Sequence, residues 1–256
     1  MQTFSCQSGS NGNCIFVQAG RTRLLIDAGI SGLAAERRMA ARGQEIRRVD
    51  ALLLSHDHND HARSAGIFHR KFHLPIYATP GTYRACKSVI GEVDEVRQFA
   101  PGETLSIGEA TVHTIPTPHD GVDGVCFVVE HANSRLGVLT DLGFVFPELE
   151  ELLPTLDAVY LESNYDPDLL ANGPYPWHLK ARITGDGGHL SNDEAATLLR
   201  DFTDGRLQWA ALAHLSEQNN RPDVAYRTAR RICGQKMPIS VASRTEVSAR
   251  LDVIDK

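Results

Sequence analysis

The sequence predicts an α/β fold in which β-sheets pack against each other and helices cover their outer surfaces. Short apolar runs bounded by Gly, Asp, Pro or Asn indicate strands, and the stretches between them indicate helices that do not alternate strictly with the strands. Polar residues interrupt nearly every strand on one side, which is typical of packed sheets with helices outside. A chain of 256 residues can form one large domain or two small ones, and we treat residues 1–256 as a single domain.

The predicted strands are short and are rich in Leu or β-branched residues. They are Cys14 to Gln18, Arg23 to Asp27, Ala51 to Leu54, Ile76 to Ala78, Ala110 to Ile115, Val125 to Glu130, Leu136 to Thr140, Ala158 to Leu161, Trp209 to Ala213 and Ile239 to Ala242.

The predicted helices begin at capping residues or prolines and carry apolar residues at helical spacing. They are Ser31 to Arg42, Ala62 to His73, Gly81 to Ile90, Ser191 to Thr203, and a helix from Arg221-Pro222 through Arg231. Residues 166–188 show no clear element apart from a possible turn at residues 177–183, and loops of that length are usually functional or disordered.

Composition indicates a soluble globular enzyme or binding protein rather than a membrane protein. Charged residues make up 23% of the chain, and no segment approaches the run of about 18 apolar residues that a membrane span needs. The first residues have neither a basic start nor an apolar core, so we expect no signal peptide. The cysteines are dispersed, which predicts reduced thiols and a cytoplasmic location.

The net charge of −6 is not that of a nucleic-acid coat protein, although local charge could still bind nucleic acid. One basic patch lies between Arg221 and Lys236. By itself it is better explained as the solvated face of a surface helix.

The segment Ser55-His56-Asp57-His58-Asn59-Asp60-His61 directly follows the apolar run that ends at Leu54. Imidazole and carboxylate together suit Zn²⁺, Mn²⁺ or Fe²⁺. In an extended segment the side chains of His56 and His58 point the same way and can share one ion. Asp60 and His61 lie where the chain turns and can reach a second ion. A helix-capping role for Asp60 is the alternative, but capping explains none of the histidines.

Three later strand ends also carry metal-binding residue types: His119, Asp141 and His214. Each has a structural alternative, because His119 and Asp141 could lie in turns and His214 could be a buried core imidazole. Together with the first motif, their order predicts that several strand ends meet at one edge of a sheet.

These positions resemble the metallo-β-lactamase fold hydrolases. The resemblance implies an αββα four-layer sandwich with a dinuclear site at one edge. It implies that His56, His58 and His119 hold one metal ion, that Asp60, His61 and His214 hold another, and that Asp141 bridges both. Asp27, in Leu25 to Gly29, matches the early Asp of the family, which would support the metal histidines.

A closer resemblance is to the YycJ/WalJ-type branch, whose members are described as 5′-to-3′ exonucleases acting on double-stranded DNA. Four motifs carry it: Ser8 to Cys14, Glu162 to Asp166, Gly187 to Asn192 and His214 to Asn220. This resemblance implies DNA as the substrate. It also implies two divalent ions, Zn or Mn with Fe possible, and a hydroxide that bridges them and attacks a phosphodiester.

The candidate catalytic residues are Asp60, Asp141 and His189. His189 lies in a Gly-flanked loop before a helix, where it could be a general acid, a phosphate contact or a structural histidine. The helix start at Ser191 and Asn192 could hold an anion through free N–H groups, or it could be only a cap.

The remaining candidate substrate contacts are Ser10, Asn11, His178, Arg182 and Asn219. His178 and Arg182 would suit a phosphate channel or a plain surface, and the Gly-rich turn around Ser10 and Asn11 could be only a turn. A thioester or lactone hydrolase using the same dinuclear site is the alternative function. A non-catalytic scaffold is a third possibility, but it would be expected to have lost ligands.

Overall fold

A computed structural model of the chain describes residues 1–203 and 205–255. Its strands are β1 Gln2–Gln7, β2 Cys14–Ala19, β3 Thr22–Ile26, β4 Ala51–Leu53, β5 Ile76–Ala78, β6 Val96–Gln98, β7 Thr104–Ile107, β8 Ala110–Pro116, β9 Val125–His131, β10 Ser134–Leu139, β11 Ala158–Glu162, β12 Trp209–Ala213, β13 Ile239–Val241 and β14 Leu251–Asp252. Its α-helices are α1 Gly32–Ala40, α2 Asn59–Ala62, α3 Ala65–Phe72, α4 Pro80–Ile90, α5 Pro147–Leu152, α6 Pro167–Asn172, α7 Trp177–Thr184, α8 Asn192–Phe202 and α9 Pro222–Cys233. Short 3₁₀ turns lie at Ile46–Arg48 and Leu153–Thr155.

The strands form two mixed sheets of 7 strands each, in the orders β14-β1-β2-β3-β4-β5-β6 and β13-β12-β11-β10-β9-β8-β7. In the first sheet β3, β4, β5 and β6 are mutually parallel, and in the second β10, β11, β12 and β13 are mutually parallel. The remaining pairs in each sheet are antiparallel. The two sheets therefore share one plan, with an antiparallel half and a parallel half.

Alternation along the strands builds the layers, because successive side chains of a strand point to opposite faces. In β3, Leu24 and Ile26 belong to the central core between the sheets, whereas Leu25 belongs to the outer core. The second sheet contributes residues such as Phe127 and Tyr160 to the same central core. The inner faces of both sheets thus bury each other.

The outer faces of the sheets are covered by helices. Met39 of α1 and Phe68 of α3 pack with Phe16 on the first sheet. Leu199 of α8 packs with Leu161 on the second sheet. The predicted αββα sandwich is confirmed.

Most of the predicted elements are present within a residue or two of their expected ends. Capping explains several helix starts, since Ser31 accepts a hydrogen bond from the Ala34 N–H and Ser191 forms a capping box with Glu194. The helix expected from Ala62 to His73 is instead broken into α2 and α3. The Ser64 N–H donates to the Ala28 carbonyl rather than within a continuous helix.

Residues 166–188 are not the irregular stretch that the sequence predicts, because they contain α6 and α7. Strands β1, β6, β7 and β14 and helix α5 were also missed. Strand β1 is hidden by its polar residues Thr3 and Ser5, both of which are fully buried. All five cysteines lie in the described residues and are free thiols. Among the described residues, no helix has the length and apolar character to cross a bilayer.

Candidate metal centre

The candidate site lies where the carboxyl ends of strands from both sheets meet. The motif from Ser55 to His61 follows β4, and Asp27 follows β3 in the same sheet. From the other sheet, His119 follows β8, Asp141 follows β10 and His214 follows β12. Parallel strands bring their carboxyl ends to one edge, so residues far apart in the sequence converge.

Three of these strand ends share an unusual backbone conformation. Asp27, Asp141 and His214 have φ angles of 65°, 60° and 55°, in the left-handed region that non-glycine residues rarely adopt. Such outliers cluster at functional sites, where the surrounding structure holds them. Gly29 allows the turn after β3 to lie against the motif from Ser55 to His61, because a Cβ at this position would be 1.6 Å from the Asp60 carbonyl oxygen.

The potential ligands form two groups around one carboxylate. We call His56, His58 and His119 the first triad, and Asp60, His61 and His214 the second triad. Within each triad the ligand atoms lie within 4.8 Å of one another. Asp141 is grouped with members of both triads: with His56 and His61, and with His214.

In the first triad one nitrogen of each imidazole has an acceptor outside the triad. His56 Nδ1 lies 3.0 Å from Ser55 Oγ, and His119 Nδ1 donates to the Gly188 carbonyl at 2.8 Å. His58 Nε2 lies 3.3 Å from Asp120 Oδ1. The other nitrogens therefore face inward, and His58 Nδ1 and His119 Nε2 are 3.2 Å apart.

The histidines of the second triad are oriented in the same way by buried groups. His61 Nδ1 donates to Asp27 Oδ2 at 2.7 Å, and Asp27 also accepts the Ser55 N–H at 2.8 Å. His214 Nδ1 donates to Asn13 Oδ1 at 3.2 Å. Fixing Nδ1 in this way turns Nε2 of each imidazole toward Asp141, which is how proteins orient metal-binding histidines; His61 Nε2 also lies 2.9 Å from Asn13 Nδ2.

Asp141 lies between the triads. Its Oδ2 is 3.1 Å from His61 Nε2, and its Oδ1 is 3.3 Å from His214 Nε2 and 3.6 Å from His119 Nε2. Asp141 Oδ2 and His56 Nε2 are both buried atoms that form no hydrogen bond to any described residue. Buried polar atoms without partners are costly. Lone pairs that converge on one volume need a cation, so these residues fit divalent metal ions.

The charges of the site favour the same conclusion. Burial opposes ionisation of Asp141, but His214 and His61 outweigh it and hold the pKa of the Asp141 carboxyl well below its usual range. Burial and the neighbouring His61 lower the pKa of His56, which keeps this imidazole neutral. Burial also disfavours protonation of His61, yet the Asp141, Asp27 and Asp60 carboxylates raise its pKa well above the usual value.

His189 forms a pair with a glutamate that sequence reasoning overlooked. His189 Nδ1 donates to Glu162 Oε1 at 2.6 Å, and Glu162 Oε2 accepts the Leu142 N–H at 2.8 Å. Glu162 therefore positions both the histidine and the turn that carries Asp141. Burial lowers the pKa of His189, but the Glu162 carboxylate outweighs it and raises the pKa above its usual value. The available signal is a charged residue at the end of the buried strand β11.

A pocket of about 220 Å³ opens onto the centre. Candidate ligands from both triads line it, with Asp141, His189 and nearby polar side chains: His58, Asp60, His214, Ser10, Asn164 and Ser216. Residues of α7 and Tyr175 just before it complete the lining. The pocket therefore joins the candidate ligands to a segment that was expected to be a loop.

Two of the predicted substrate contacts line this pocket, Ser10 and Arg182. The Arg182 guanidinium donates to both carboxylate oxygens of Asp120, at 2.6 and 2.9 Å. His178 is exposed and is not among the lining residues. Asn11 is also outside the lining, because its side chain donates to the Arg244 carbonyl and braces the turn.

The expected substrate roles of Ser191, Asn192 and Asn219 are corrected by the structure. The Ser191 side chain and N–H are engaged by Glu194, and the Asn192 N–H donates to the Tyr165 carbonyl. Asn192 and Asn219 are 1% and 0% exposed. The N–H groups expected to hold an anion already have protein partners, so these residues brace the loops behind the site.

The basic patch on α9 is partly neutralised by its neighbours. Arg227 pairs with Asp223 at 2.8 Å and Arg231 pairs with Asp193 at 2.7 Å, and all four side chains are exposed. Exposed pairs of this kind contribute little to stability. The patch fits the solvated helix face that the sequence favours.

Comparison with known proteins identifies the relatives of the chain. The profile of the beta-lactamase superfamily domain matches residues 22–209. The chain is 32% identical to exodeoxyribonuclease YycJ of Bacillus anthracis, over 90% of this chain and 88% of that protein. It is 31% identical to exodeoxyribonuclease WalJ of Streptococcus pneumoniae serotype 2, over 86% and 84% of the two chains.

Solved structures support the fold. The metallo-β-lactamase fold protein YhfI from Bacillus subtilis superposes with a TM-score of 0.75 over 97% of this chain and 99% of that one, at 16% identity. The long matches to YycJ and WalJ and the match to the superfamily profile agree with this architecture. The chain therefore belongs to the beta-lactamase superfamily, as a metallo-β-lactamase fold hydrolase of the YycJ/WalJ-type branch.

Proposed function

We propose that the protein is a dinuclear metal-dependent phosphodiesterase that acts on DNA as a 5′-to-3′ exonuclease. The observation that carries this proposal is the convergence of both triads on Asp141, whose buried Oδ2 has no hydrogen-bond partner among the described residues. The similarity to the exodeoxyribonucleases YycJ and WalJ favours a phosphodiester in DNA over other substrates.

In this proposal His56, His58 and His119 hold one divalent ion, Asp60, His61 and His214 hold another, and Asp141 contributes to both. Imidazole and carboxylate donors suit Zn²⁺ or Mn²⁺, and they also accept Fe²⁺. When bound, such ions lower the pKa of water from about 15.7 to about 7 and neutralise charge on a phosphate.

His189 supplies a proton to the leaving oxygen in the proposed reaction. It lines the pocket, and Glu162 occupies its Nδ1, so only Nε2 is left to face a substrate. The raised pKa of His189, which Glu162 maintains against the effect of burial, keeps a proton available near neutral pH. Ser10 and Arg182 line the same pocket and are suited to contact the phosphate oxygens.

The direct test is cleavage of end-labelled duplex DNA by the purified protein with Zn²⁺ or Mn²⁺ added. We expect mononucleotides to be released from the 5′ end, with slower turnover of bis-p-nitrophenyl phosphate. Hydrolysis of a thioester or lactone without cleavage of either phosphodiester would overturn the proposal in favour of carbonyl chemistry at the same centre.

A second test separates the role of His189 from metal binding. We expect His189→Ala to slow DNA cleavage about 10²- to 10⁴-fold, the usual contribution of a general acid, with metal content unchanged. Glu162→Gln should also slow cleavage, and because it lowers the pKa of His189, activity should fall at a lower pH on the alkaline side of the rate profile. His113→Ala is the matched control, because His113 pairs with Glu130 in β9, away from the pocket lining. Loss of metal from His189→Ala would make this residue a ligand instead.

A further inference from the structure

The pocket at the metal centre has two unlike walls. One is the ligand edge, with its histidines, carboxylates and polar side chains. The other is built by Tyr175, Leu179 and Ile183, three apolar or aromatic residues that neither triad uses, with Arg182 of α7 beside them. We call these three residues the apolar wall.

The apolar wall is a single face of one structural element. Its members are spaced four residues apart, so Leu179 and Ile183 lie on the same side of α7 and Tyr175 continues that side just before the helix begins. Pro176 occupies the N-cap position, where it fixes the entry of the chain into α7. The wall is therefore presented to the pocket as a surface of fixed shape.

Packing behind the wall holds Tyr175 in place. Tyr165, Leu170 and Ile183 form a small buried cluster, and Tyr175 and Leu179 pack against it. Tyr175 is only half-buried, so part of its side chain contacts the cluster and part remains open to the pocket that it lines. An aromatic residue supported in this way offers a rigid surface at a low cost in conformational entropy.

The chemistry at the centre does not account for this wall. Metal binding and proton donation both require polar side chains. Contact between water and the apolar surface of the wall is unfavourable, and a bound apolar group would remove it. Binding pockets typically combine such apolar surface with a few polar groups that fix orientation. The apolar wall therefore fits a substrate that has a flat, apolar group close to its phosphate.

We propose that the apolar wall is a nucleobase subsite, in which the Tyr175 ring stacks on the base of the 5′-terminal nucleotide, whose 3′ oxygen is bonded to the scissile phosphate. This inference rests on the proposed nuclease function and names the part of the substrate that the wall recognises. The pocket volume of about 220 Å³ lies below the range of about 300–1,000 Å³ that encloses a complete small molecule, so it suits one terminal nucleotide of a longer chain.

The proposal predicts dependence on the presence of a base but tolerance of its identity. Every base has a π-face, and stacking on an aromatic side chain is largely independent of sequence. Leu179 and Ile183 add apolar contact without hydrogen-bonding groups that could distinguish one base from another. A substrate without a base at this position should therefore bind poorly while its phosphate remains intact.

The test compares two end-labelled duplexes that differ only in the 5′-terminal nucleotide, which in one of them is a base-free tetrahydrofuran residue. The native protein should cleave the first bond of the base-free duplex about tenfold more slowly in kcat/KM. Tyr175→Leu, which keeps apolar bulk behind the wall, should lose the same factor on the intact duplex and should no longer distinguish the two. Tyr175→Phe keeps the ring and should behave like the native protein.

Tyr226→Leu is the matched control, because Tyr226 is an exposed tyrosine on α9 outside the pocket lining. It should preserve both the rate and the discrimination, and melting curves of all variants report whether the fold is intact. Full discrimination by a folded Tyr175→Leu, or native rates on the intact duplex, would overturn the nucleobase subsite while DNA cleavage itself stands. Absence of DNA cleavage by the native protein would overturn the proposed function and this inference together.

Discussion

In both triads a hydrogen-bond partner holds the outer nitrogen of each imidazole. The triads differ in how far these partners are buried from water. In the second triad the side chains of His61 and His214 are 0% and 1% exposed, and Asp27, which orients His61, is 4% exposed. In the first triad His58 is 28% exposed, and its partner Asp120 is 36% exposed. The outer partner of His61 is therefore buried, whereas the outer partner of His58 faces solvent; among the ligands themselves, Asp60 of the second triad is also 22% exposed.

This difference implies unequal roles for the two proposed ion sites. Buried hydrogen bonds to the outer nitrogen of a ligating imidazole fix its orientation, and their loss usually costs metal affinity. Water can replace an exposed partner such as Asp120 at little cost. We expect the second triad to keep its ion longer, and the first triad, in which the partner of His58 is exposed, to exchange its ion with solvent.

We expect the largest effect from a substitution that alters both triads at once. Asp141→Asn removes the charge shared by the triads and should lower DNA cleavage by about 10³-fold or more, since the metal contribution amounts to several kcal/mol. The metal content of the variant should also fall, as measured by elemental analysis.

The choice of Asn in this experiment follows from the backbone. Asp141 has a φ angle of 60°, which Asn adopts at a lower energetic cost than Ala. Asp141→Ala would therefore combine loss of the ligand with strain in the turn. Native activity and native metal content in a folded Asp141→Asn variant would contradict the shared role of this carboxylate.

A smaller and selective effect is expected at the second triad. Asp27→Asn keeps the left-handed backbone at this strand end but replaces the carboxylate that accepts from His61 Nδ1 and from Ser55. We expect metal affinity to weaken about 10- to 100-fold at one ion site only. Titration with a competing chelator measures this change, and equal weakening at both sites would show that the triads are not independent.

The smallest effect is expected at the first triad. Asp120→Ala removes the exposed partner of His58 and frees Arg182. Because solvent reaches this position, we expect only a few-fold faster loss of the more labile ion to a chelator. A loss as large as that caused by Asp27→Asn would remove the distinction between the triads.

The sequence is most informative about the candidate ligands that lie close together in the chain. The motif from His56 to His61 follows a buried strand directly, so residue type and period-2 geometry were sufficient to predict metal ligands close together. The later residues His119, Asp141 and His214 each follow their own strand. Their convergence depends on sheet order, which the family resemblance implied and which residue patterns alone did not determine.

The sequence is less informative about polar residues whose role is to hydrogen-bond to other polar residues. Asn192 and Asn219 look like surface groups in the sequence, but they are buried and bonded to neighbouring loops. Glu162 looks like the end of a strand, yet it orients His189. Helix α7 was missed because Gly and Pro surround it, although the spacing of Tyr175, Leu179 and Ile183 contains the helical signal.

The most direct test of the account is the position of bound ions in crystals of the protein grown with Zn²⁺ or Mn²⁺, located by anomalous scattering. The account predicts two strong peaks per chain, one among His56, His58 and His119 and one among Asp60, His61 and His214, with Asp141 between them. The account would be contradicted if protein from the same preparation cleaved DNA at its full rate while its crystals showed no peak at either triad.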